Sequence, residues 1–473
     1  MQPPPEPTSS SPIATAALES LESRQTELPG LWRLTWPLFI SLALSLSLNF
    51  SDSFFLSRIS DAAAGAAGAI NPLLGTTLVL FSAVGQAGAS VAGRLYGARR
   101  HGELPSTYLA LLGFNLTTGL VVSALLFLLH TRLPGWLGLR GQSAEFGKAY
   151  LGVLGTFQVL KAVQIAYANM LNSRGETRWI LLEAIATNVT NITLNTLILK
   201  GQWAFLPRPS VSAVAGCTVI ALAFGMLFTI AVVHLRLKVR LPLRTPLRVL
   251  RQRLKPILKI GLPAASEPIS YQSAQIAINM MVITFGASAL ATRTYVISFV
   301  TISTILWSFA LGVGTQILVA HRIGAGRFEE ANAGLHRALL LAMAGNATIA
   351  LFLLVFHRPL LGLLSHDPEV FRLAAPLFGI ALLVETSRAV NIVAGGALRS
   401  TGDARFVAIT GSSMMWCVGV FSAYLFGSIF GLGLTGVWIA MALDETSRGL
   451  VNYRRWRAGH WRTLSALAPA SQR

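Results

Sequence analysis

The sequence predicts an all-α polytopic membrane protein, with twelve transmembrane helices in two pseudo-symmetric six-helix bundles. Three observations carry this prediction. The mean hydropathy is +0.59 and only 12% of the residues are charged, as is typical of membrane proteins. The chain contains a long internal duplication, and its basic residues concentrate in alternate loops between apolar segments.

The duplication is visible in two motifs that recur at one offset. RLYGARRHGE at 94–103 corresponds to HRIGAGRFEE at 321–330, 227 positions later. NMLNSRGETR at 169–178 corresponds to GALRSTGDAR at 396–405, again 227 positions later. Two motifs with a common offset indicate a duplicated unit of about 225 residues, and two equivalent membrane halves around a cavity are typical of transporters.

The apolar segments justify the helix count. In lipid every backbone group must be satisfied within its own segment, so each spanning segment is predicted to be a helix. The predicted segments are 34–57, 66–93, 106–130, 143–171, 179–200, 211–235, 257–286, 290–320, 334–357, 369–398, 405–428 and 433–452. The predicted organisation is a disordered tail at 1–30, lobes at 31–235 and 257–453, a basic linker at 236–256 and a basic tail at 454–473.

Lys and Arg are concentrated after the even-numbered segments, which predicts that both termini are cytoplasmic and that the two halves run parallel. The net charge of +19 is therefore a sign of topology and not of nucleic-acid binding. The linker reads as an amphipathic segment on anionic lipid, or as a plain basic connector. The Ala, Leu and Arg bias indicates a bacterial inner membrane.

Several motifs, taken in order, resemble those of the multidrug and toxic compound extrusion (MATE) transporters. They are the duplicated loop motifs above, NFSDSFFLSRIS at 49–60 and GVWIAMALDETSRGL at 436–450. The resemblance covers roughly 29–462 and implies cation-driven antiport of amphipathic, often cationic, small molecules by rocking of two bundles. It implies a monomer in lipid, with no enzymatic activity, metal or organic cofactor.

Asp52 is the main candidate for cation coupling, and we take it as the lone carboxylate within an N-lobe span. A carboxyl group in a low-dielectric site can exchange a proton near neutral pH. The resemblance implies that Asp52 binds the coupling proton or sodium. Asn191 and Asn195 share a helix face, and the family often has Asn then Asp there. Alternatively, Asp52 faces water at the helix end and the asparagines only bond helices together.

In the C-terminal half, Glu267, Tyr271 and Gln275 are candidate substrate contacts on the seventh helix. The resemblance implies a carboxylate on this helix in the sodium-coupled branch, at the position of Tyr271. Glu267 lies one turn earlier and could face the same side. The alternative is that Glu267 is a charge near the cytoplasmic entrance.

Glu385 and Arg388 lie three apart on the tenth helix, and Lys161 is the counterpart of Arg388 at the same offset of 227. One interpretation is an internal Glu385–Arg388 ion pair with Lys161 paired elsewhere. The other is a cationic cavity for anionic substrates or lipid head groups. In the sodium branch an Asp falls at the position of Arg388, whose charge would repel a bound cation, so the proton is favoured over sodium.

The resulting hypothesis is a proton-coupled exporter of amphipathic compounds. Its substrate would occupy a central cavity lined by helices 1, 2, 7 and 8. The coupling would act through competition with the proton or through a bend of helix 1 near Pro37. The alternative is a flippase of lipid-linked oligosaccharide or other lipid precursors in the same superfamily, suggested by Lys161 with Arg388. An enzyme is disfavoured because the histidines do not cluster in any span.

Overall fold

The structure, a computed structural model, describes residues 30–200 and 209–464, and in these ranges its regular structure is helical throughout. The predicted N-terminal tail and the last part of the C-terminal tail lie outside the described residues.

The N-terminal lobe consists of six long helices in the predicted order. The fourth is bent by 41° between its two parts, at Phe157. The helices are α1 (Leu31–Ser57), α2 (Asp61–Gly97), α3 (Leu104–Leu129), α4 (Gly141–Thr156 and Gln158–Ser173), α5 (Thr177–Lys200) and α6 (Val211–Ala231, continued by a π-helical turn at Val232–Arg236).

The C-terminal lobe repeats this arrangement. Two of its helices contain π-helical turns, at Ile297–Thr301 in the second and at Met415–Val420 and Leu425–Ile429 in the fifth. The helices are α7 (Leu247–Ile283), α8 (Ala287–Val296 and Ile302–Gly324), α9 (Phe328–Val355), α10 (Pro368–Thr401), α11 (Ala404–Met414 to Leu425–Ile429) and α12 (Gly433–Arg457). The twelve helices thus form the two predicted six-helix bundles.

Within the described ranges, eight of these helices are long and apolar enough to cross a membrane, and the number rises to nine if the bent α4 is counted as one span. The remaining three are α5, α7 and α12. Each of the three contains charged side chains, such as Glu183 in α5, Glu267 in α7 and Asp444 in α12, which lower its mean hydropathy. Polar side chains inside membrane helices are costly and therefore indicate function.

The linker differs from its prediction. We expected a basic connector over 236–256, but α7 already begins at Leu247, directly after Pro246 at its N-cap. Proline fits the start of a helix because it has no N–H to donate. The connection between the lobes is therefore shorter than predicted, and the basic residues from Arg248 onward extend α7 as exposed helix.

The two copies of the first repeated motif meet at one end of the molecule. A Cβ atom on Gly97, at the end of α2, would lie 2.1 Å from the carbonyl oxygen of His321 in α8. A Cβ on Gly324, at the end of α8, would lie 2.1 Å from the carbonyl oxygen of Arg94 in α2. Both contacts obey the 227-residue offset. Glycine is therefore required at both positions for the helix ends to cross this closely.

The second repeated motif lies beside the contact between the ends of α2 and α8 and bonds to it. Nε2 of His321 donates a hydrogen bond to the carbonyl oxygen of Ser173 at the end of α4, at 2.7 Å. In the other direction, Nη1 of Arg94 donates to the carbonyl oxygen of Thr401 at the end of α10, at 3.5 Å. The lobes are thus closed against each other where the even-numbered helices α2, α4, α8 and α10 end.

Helix α1 belongs to both lobes. Its second half lies in the N-terminal lobe, but Leu34 and Leu38 in its first half pack into the core of the C-terminal lobe, beside Leu311 and Val393. Pro37 lies between Leu34 and Leu38, within the part of α1 that packs against the C-terminal lobe, and the helix is continuous through it. Because a proline removes one helical hydrogen bond, this is a point at which α1 can bend.

Candidate functional site

The first candidate site surrounds Asp52 in the N-terminal lobe. The side chain is 4% exposed, so it does not face water at the helix end. The hydroxyl of Thr218 on α6 lies 2.9 Å from each carboxylate oxygen. Nδ2 of Asn191 on α5 donates to Oδ1 of Asp52 at 3.0 Å. The carboxylate therefore joins three helices through neutral partners.

The asparagines extend this site along α5. Asn191 Oδ1 accepts hydrogen bonds from Asn195 Nδ2 and from the Ser51 hydroxyl, each at 3.2 Å. Asn191 and Asn195 are both fully buried. The predicted grouping of Asp52, Asn191 and Asn195 is present in the structure, with Asn191 as the direct partner of the carboxylate.

A second group of polar side chains occupies the C-terminal lobe and is built differently. Arg388 donates to both oxygens of Glu385 at 2.6 and 2.7 Å, and to Glu445 at 3.0 Å. Arg448 donates to Glu445 at 2.9 Å and to Asp444 at 2.7 Å. The predicted internal ion pair Glu385–Arg388 is thus confirmed, and Glu445 links it to a second pair, Asp444–Arg448.

Neutral side chains complete the network around these charges. The hydroxyl of Thr304 on α8 donates to Glu385 at 2.6 Å, and Nδ2 of Asn391 on α10 donates to Glu445 at 3.1 Å. Each carboxylate of the network accepts at least one charge-assisted hydrogen bond, which is about twice as strong as a neutral one. Each of these carboxylates is therefore bonded directly to a buried guanidinium group.

Between the lobes lies a cavity of about 380 Å³. Its N-terminal wall is α2, mostly with small and apolar residues, and its C-terminal wall carries the charged side chains. The lining is Gly75, Leu78, Val79, Ser82, Ala83, Gln86, Ala87, Ile260, Ala264, Glu267, Pro268, Tyr271, Ile305, Phe309, Gln316, Arg388, Asn391, Ile392, Arg399, Met415, Glu445 and Arg448. The wall is thus apolar on one side and charged on the other.

The closed end of the molecule borders this cavity. Gln316, a lining residue of α8, donates to the backbone oxygen of Gln86 and to the Ser90 hydroxyl of α2, at 3.3 and 2.7 Å. The cavity therefore lies just beyond the contacts that close the lobes.

The predicted helix set for this cavity is partly wrong. Helices 2, 7 and 8 line it as expected, but α1 supplies none of the lining found in the described ranges, whereas α10, α11 and α12 do. The physical reason is the charge network: α10 and α12 carry the arginines and glutamates that keep this part of the lobe interface polar.

The tentative substrate residues fall into two groups. Glu267, Tyr271 and Arg388 line the cavity. Glu267 is bonded by Arg399 at 2.8 Å, so it is not an isolated entrance charge. By contrast, Gln275 is absent from the described lining, and its side-chain oxygen accepts from Arg293 at 2.7 Å.

Lys161 also lies apart from the cavity lining that the structure describes. Arg388, its counterpart in the duplication, lines the cavity but is bound by two carboxylates. The two cations that suggested a flippase are therefore not brought together. Within 30–200 and 209–464, Lys161 forms no salt bridge, so the pairing predicted for it is not observed.

Two residues of the N-terminal lobe were missed from the sequence. Thr218 gave no signal, because a lone threonine in an apolar helix usually bonds its own backbone. Glu183 on α5 is a second buried carboxylate, 8% exposed, so the prediction that Asp52 is alone in this lobe is wrong. It lies near the start of the predicted span, where a charge is expected to face water. The four-residue spacing of Glu183, Thr187 and Asn191 could have identified it.

Comparison with known proteins gives a consistent result. The MatE family model matches the chain twice, at residues 37–197 and 263–425. "Uncharacterized transporter YisQ" of Bacillus subtilis (strain 168) is 31% identical over 432 residues, which cover 91% of this chain and 94% of that protein. "Probable multidrug resistance protein NorM" of Thermotoga maritima is 23% identical, with 92% and 93% covered.

Solved structures share the fold. A crystal structure of MATE in the bent conformation superposes with a TM-score of 0.83 at 20% identity, covering 92% of this chain and 96% of that one. An outward-facing multidrug resistance MATE family transporter of the MOP superfamily superposes with a TM-score of 0.80 at 19% identity, with the same coverage.

Proposed function

The chain belongs to the MatE family of membrane transporters, and from this premise we propose that it exports amphipathic, cationic small molecules in exchange for protons. Asp52 is the proton-binding group in this proposal, and the cavity between the lobes is the substrate site. The exchange proceeds by alternating access, in which the lobes open first to one side of the membrane and then to the other.

The observation that carries the proposal is the set of partners around Asp52. A carboxylate accepts hydrogen bonds, whereas a carboxylic acid must also donate one. The Thr218 hydroxyl can donate or accept by rotation, and the Asn191 amide has both a donor and an acceptor end. Such partners serve both protonation states. A guanidinium group, which only donates, does not, and this argues against a proton role for the carboxylates around Arg388.

The cavity supports an amphipathic substrate. An apolar body can pack on α2, while a charged group meets the polar wall of the C-terminal lobe. We propose Glu267 as the contact for a substrate cation. Its carboxylate lines the cavity and is held by one guanidinium, that of Arg399, whereas Glu445 is held by two.

Helix α1 supports a mechanical link between the two sites. Asp52 lies outside the described cavity lining, so direct competition for one group does not explain the coupling. However, α1 bonds to the N-terminal lobe at Asp52 and packs into the C-terminal lobe at Leu34 and Leu38. Loss of the charge on Asp52 would change its bonds to α5 and α6, and a bend at Pro37 would carry that change to the lobe interface.

The test is dye efflux from liposomes that contain purified protein, with an imposed pH gradient or an imposed sodium gradient. We expect transport under the pH gradient alone, and its loss in Asp52→Asn. Asp61→Asn is the matched control, because Asp61 is exposed in the first turn of α2. Transport driven only by sodium would contradict proton coupling. Wild-type transport by Asp52→Asn would contradict the role of Asp52.

The same proposal includes the orientation. By the distribution of Lys and Arg, the closed end and both termini face the cytoplasm of a bacterial cell. We propose that the cavity then opens toward the outside, in a state that follows substrate release and precedes proton uptake.

A further inference from the structure

Glu183 occupies a built polar site in the N-terminal lobe. The Thr187 hydroxyl donates to Oε1 of Glu183 at 2.8 Å, and Nε2 of Gln164 on α4 donates a short hydrogen bond to the same oxygen. A Cβ on Gly225 of α6 would lie 2.4 Å from this oxygen, so a glycine makes room for the carboxylate. Asn191 lies eight residues further along α5, a rise of about 12 Å.

The charges around Glu183 are few. Lys161 on α4 is the cation that acts on it through space, and no salt bridge joins the two within the described ranges. On α1, no titratable side chain occurs between the first turn and Asp52. On α6, none occurs between Cys217 and the π-helical turn. The side chains that bond directly to Glu183 in the described ranges are thus neutral.

The partner Gln164 has a second feature that points to proton exchange. Gln164 is 6% exposed, and its Oε1 atom has no hydrogen-bond partner in the described part of the chain. A buried acceptor without a donor costs about 1–3 kcal/mol. If Glu183 were protonated, its O–H could donate to this oxygen after rotation of the amide. The Gln164 amide can therefore bond Glu183 in either protonation state, by donating to the carboxylate or by accepting from the acid.

We propose that Glu183 is a second proton-binding site of the N-terminal lobe, which takes up and releases one proton in each transport cycle. Taken with the proposed function, on which this inference rests, it raises the exchange from one proton per substrate molecule to two. Oε1 of Glu183 gains the proton when the carboxylate becomes an acid, and loses it to water when the site returns to the charged form.

The arrangement of α5 connects this site to Asp52. Glu183, Thr187, Asn191 and Asn195 follow one another at intervals of four residues, so they form one polar stripe along the helix. Glu183 and Thr187 are directly bonded at one end of the stripe, and Asn191 is bonded to Asp52 at the other. A change at either carboxylate therefore acts on the same helix.

The experiment counts protons released when the cationic dye ethidium binds. Purified full-length protein in weakly buffered detergent solution is saturated with dye at a series of pH values, and the pH change gives the protons released per dye. We expect about two for the wild type and about one for Glu183→Gln and for Asp52→Asn. Glu183→Asp keeps a titratable group and should restore the wild-type number. Glu176→Gln, in the loop before α5, is the matched control.

The outcomes separate this inference from the proposed function. If the wild type releases no proton and shows no pH-driven transport, the proposed function fails. If the wild type releases protons and Glu183→Gln releases the same number, Glu183 has a structural role only and this inference is overturned. If Glu183→Gln does not fold, Lys161→Met replaces it. Loss of the cation should move the proton release to higher pH, and an unchanged profile would overturn the inference.

Discussion

The contact between the two copies of the repeated motif can be tested by adding one side chain. In Gly97→Val, the new Cβ would lie 2.1 Å from the carbonyl oxygen of His321, whereas ordinary van der Waals contacts of a Cβ begin at 3.4 Å. The ends of α2 and α8 would have to separate by more than 1 Å to remove this clash. Overpacking of this kind costs roughly 1–3 kcal/mol. Because the cost falls only on the state in which this end is closed, it should shift the equilibrium toward the opposite state by roughly 5- to 150-fold.

The assay is the labelling of a cysteine in the cavity. Ser82→Cys places a thiol on the α2 wall, in a protein whose native cysteines have been replaced. A membrane-impermeant maleimide, added on the side to which the cavity opens, should label it more slowly once Gly97→Val is introduced. Gly324→Val should have the same effect, because its Cβ would meet the Arg94 carbonyl at the same 2.1 Å. Gly113→Val is the matched control, since a Cβ there meets nothing within 4 Å.

The reasoning would be refuted by an unchanged labelling rate in both Gly97→Val and Gly324→Val, with the proteins folded. It would also be refuted if Gly113→Val slowed labelling to the same extent. An effect of only one of the two would show that the pseudo-symmetric contacts are not energetically equivalent.

Three further predictions concern the charged groups and the topology. Glu445→Gln should lower the free energy of unfolding by about 3–5 kcal/mol, because two buried guanidinium groups lose a partner. Thermal unfolding in detergent measures this change. The control is Glu145→Gln, in an exposed pair, which should cost no more than about 1 kcal/mol. Thr218→Val should slow pH-driven dye efflux at least about tenfold by removing the hydroxyl bond to the buried carboxylate, whereas Thr229→Val on the same helix, whose hydroxyl bonds only a backbone oxygen, should transport normally. A cysteine in place of Arg244, in the connection between the lobes, should react with the impermeant maleimide in permeabilised cells but not in intact ones. Labelling in intact cells would contradict the proposed orientation.

The fold could be predicted from the sequence because its signals are local. Twelve apolar segments and a duplicated motif require only that each helix satisfies its own backbone and that equal sequences fold alike. The sequence of the duplicated loop motif did not show, however, that its glycines form a contact between the lobes. Gly97 and Gly324 occur in loop-like sequences, and only the crossing of two distant helices shows that each glycine faces a carbonyl of the other copy.

The sites were predicted less completely, because hydrogen bonds between helices depend on how the helices are rotated. The pair Glu385–Arg388 was predicted from its helical spacing of three residues, and the spacing of four between Asp444 and Arg448 allows a pair of the same kind. The bridge through Glu445 did not, since it joins α10 to α12 over a separation of 57 residues. The role of Thr218 could not be predicted for the same reason, because its hydrogen bond to Asp52 spans 166 residues.

The duplication allows the polar groups of the two lobes to be compared position by position. Positions related by the offset of 227 carry Gln158 and Glu385, and likewise Lys161 and Arg388. In the C-terminal lobe this pair is fully ionic, and its arginine is bound by two carboxylates. Neutralising a carboxylate held in that way would leave a buried guanidinium without its charged partner.

In the N-terminal lobe the equivalent positions leave Lys161 without a salt bridge in the described ranges, and the carboxylates of Asp52 and Glu183 are bonded by amides and hydroxyls. Amides and hydroxyls can donate and accept hydrogen bonds, so they can bond a carboxyl group with or without its proton. Under the proposed function, one duplicated scaffold has a C-terminal lobe whose buried charges are paired with each other and an N-terminal lobe whose carboxylates exchange protons. Helix α1, which packs in both, is the element that can convert a change of charge in one lobe into a movement against the other.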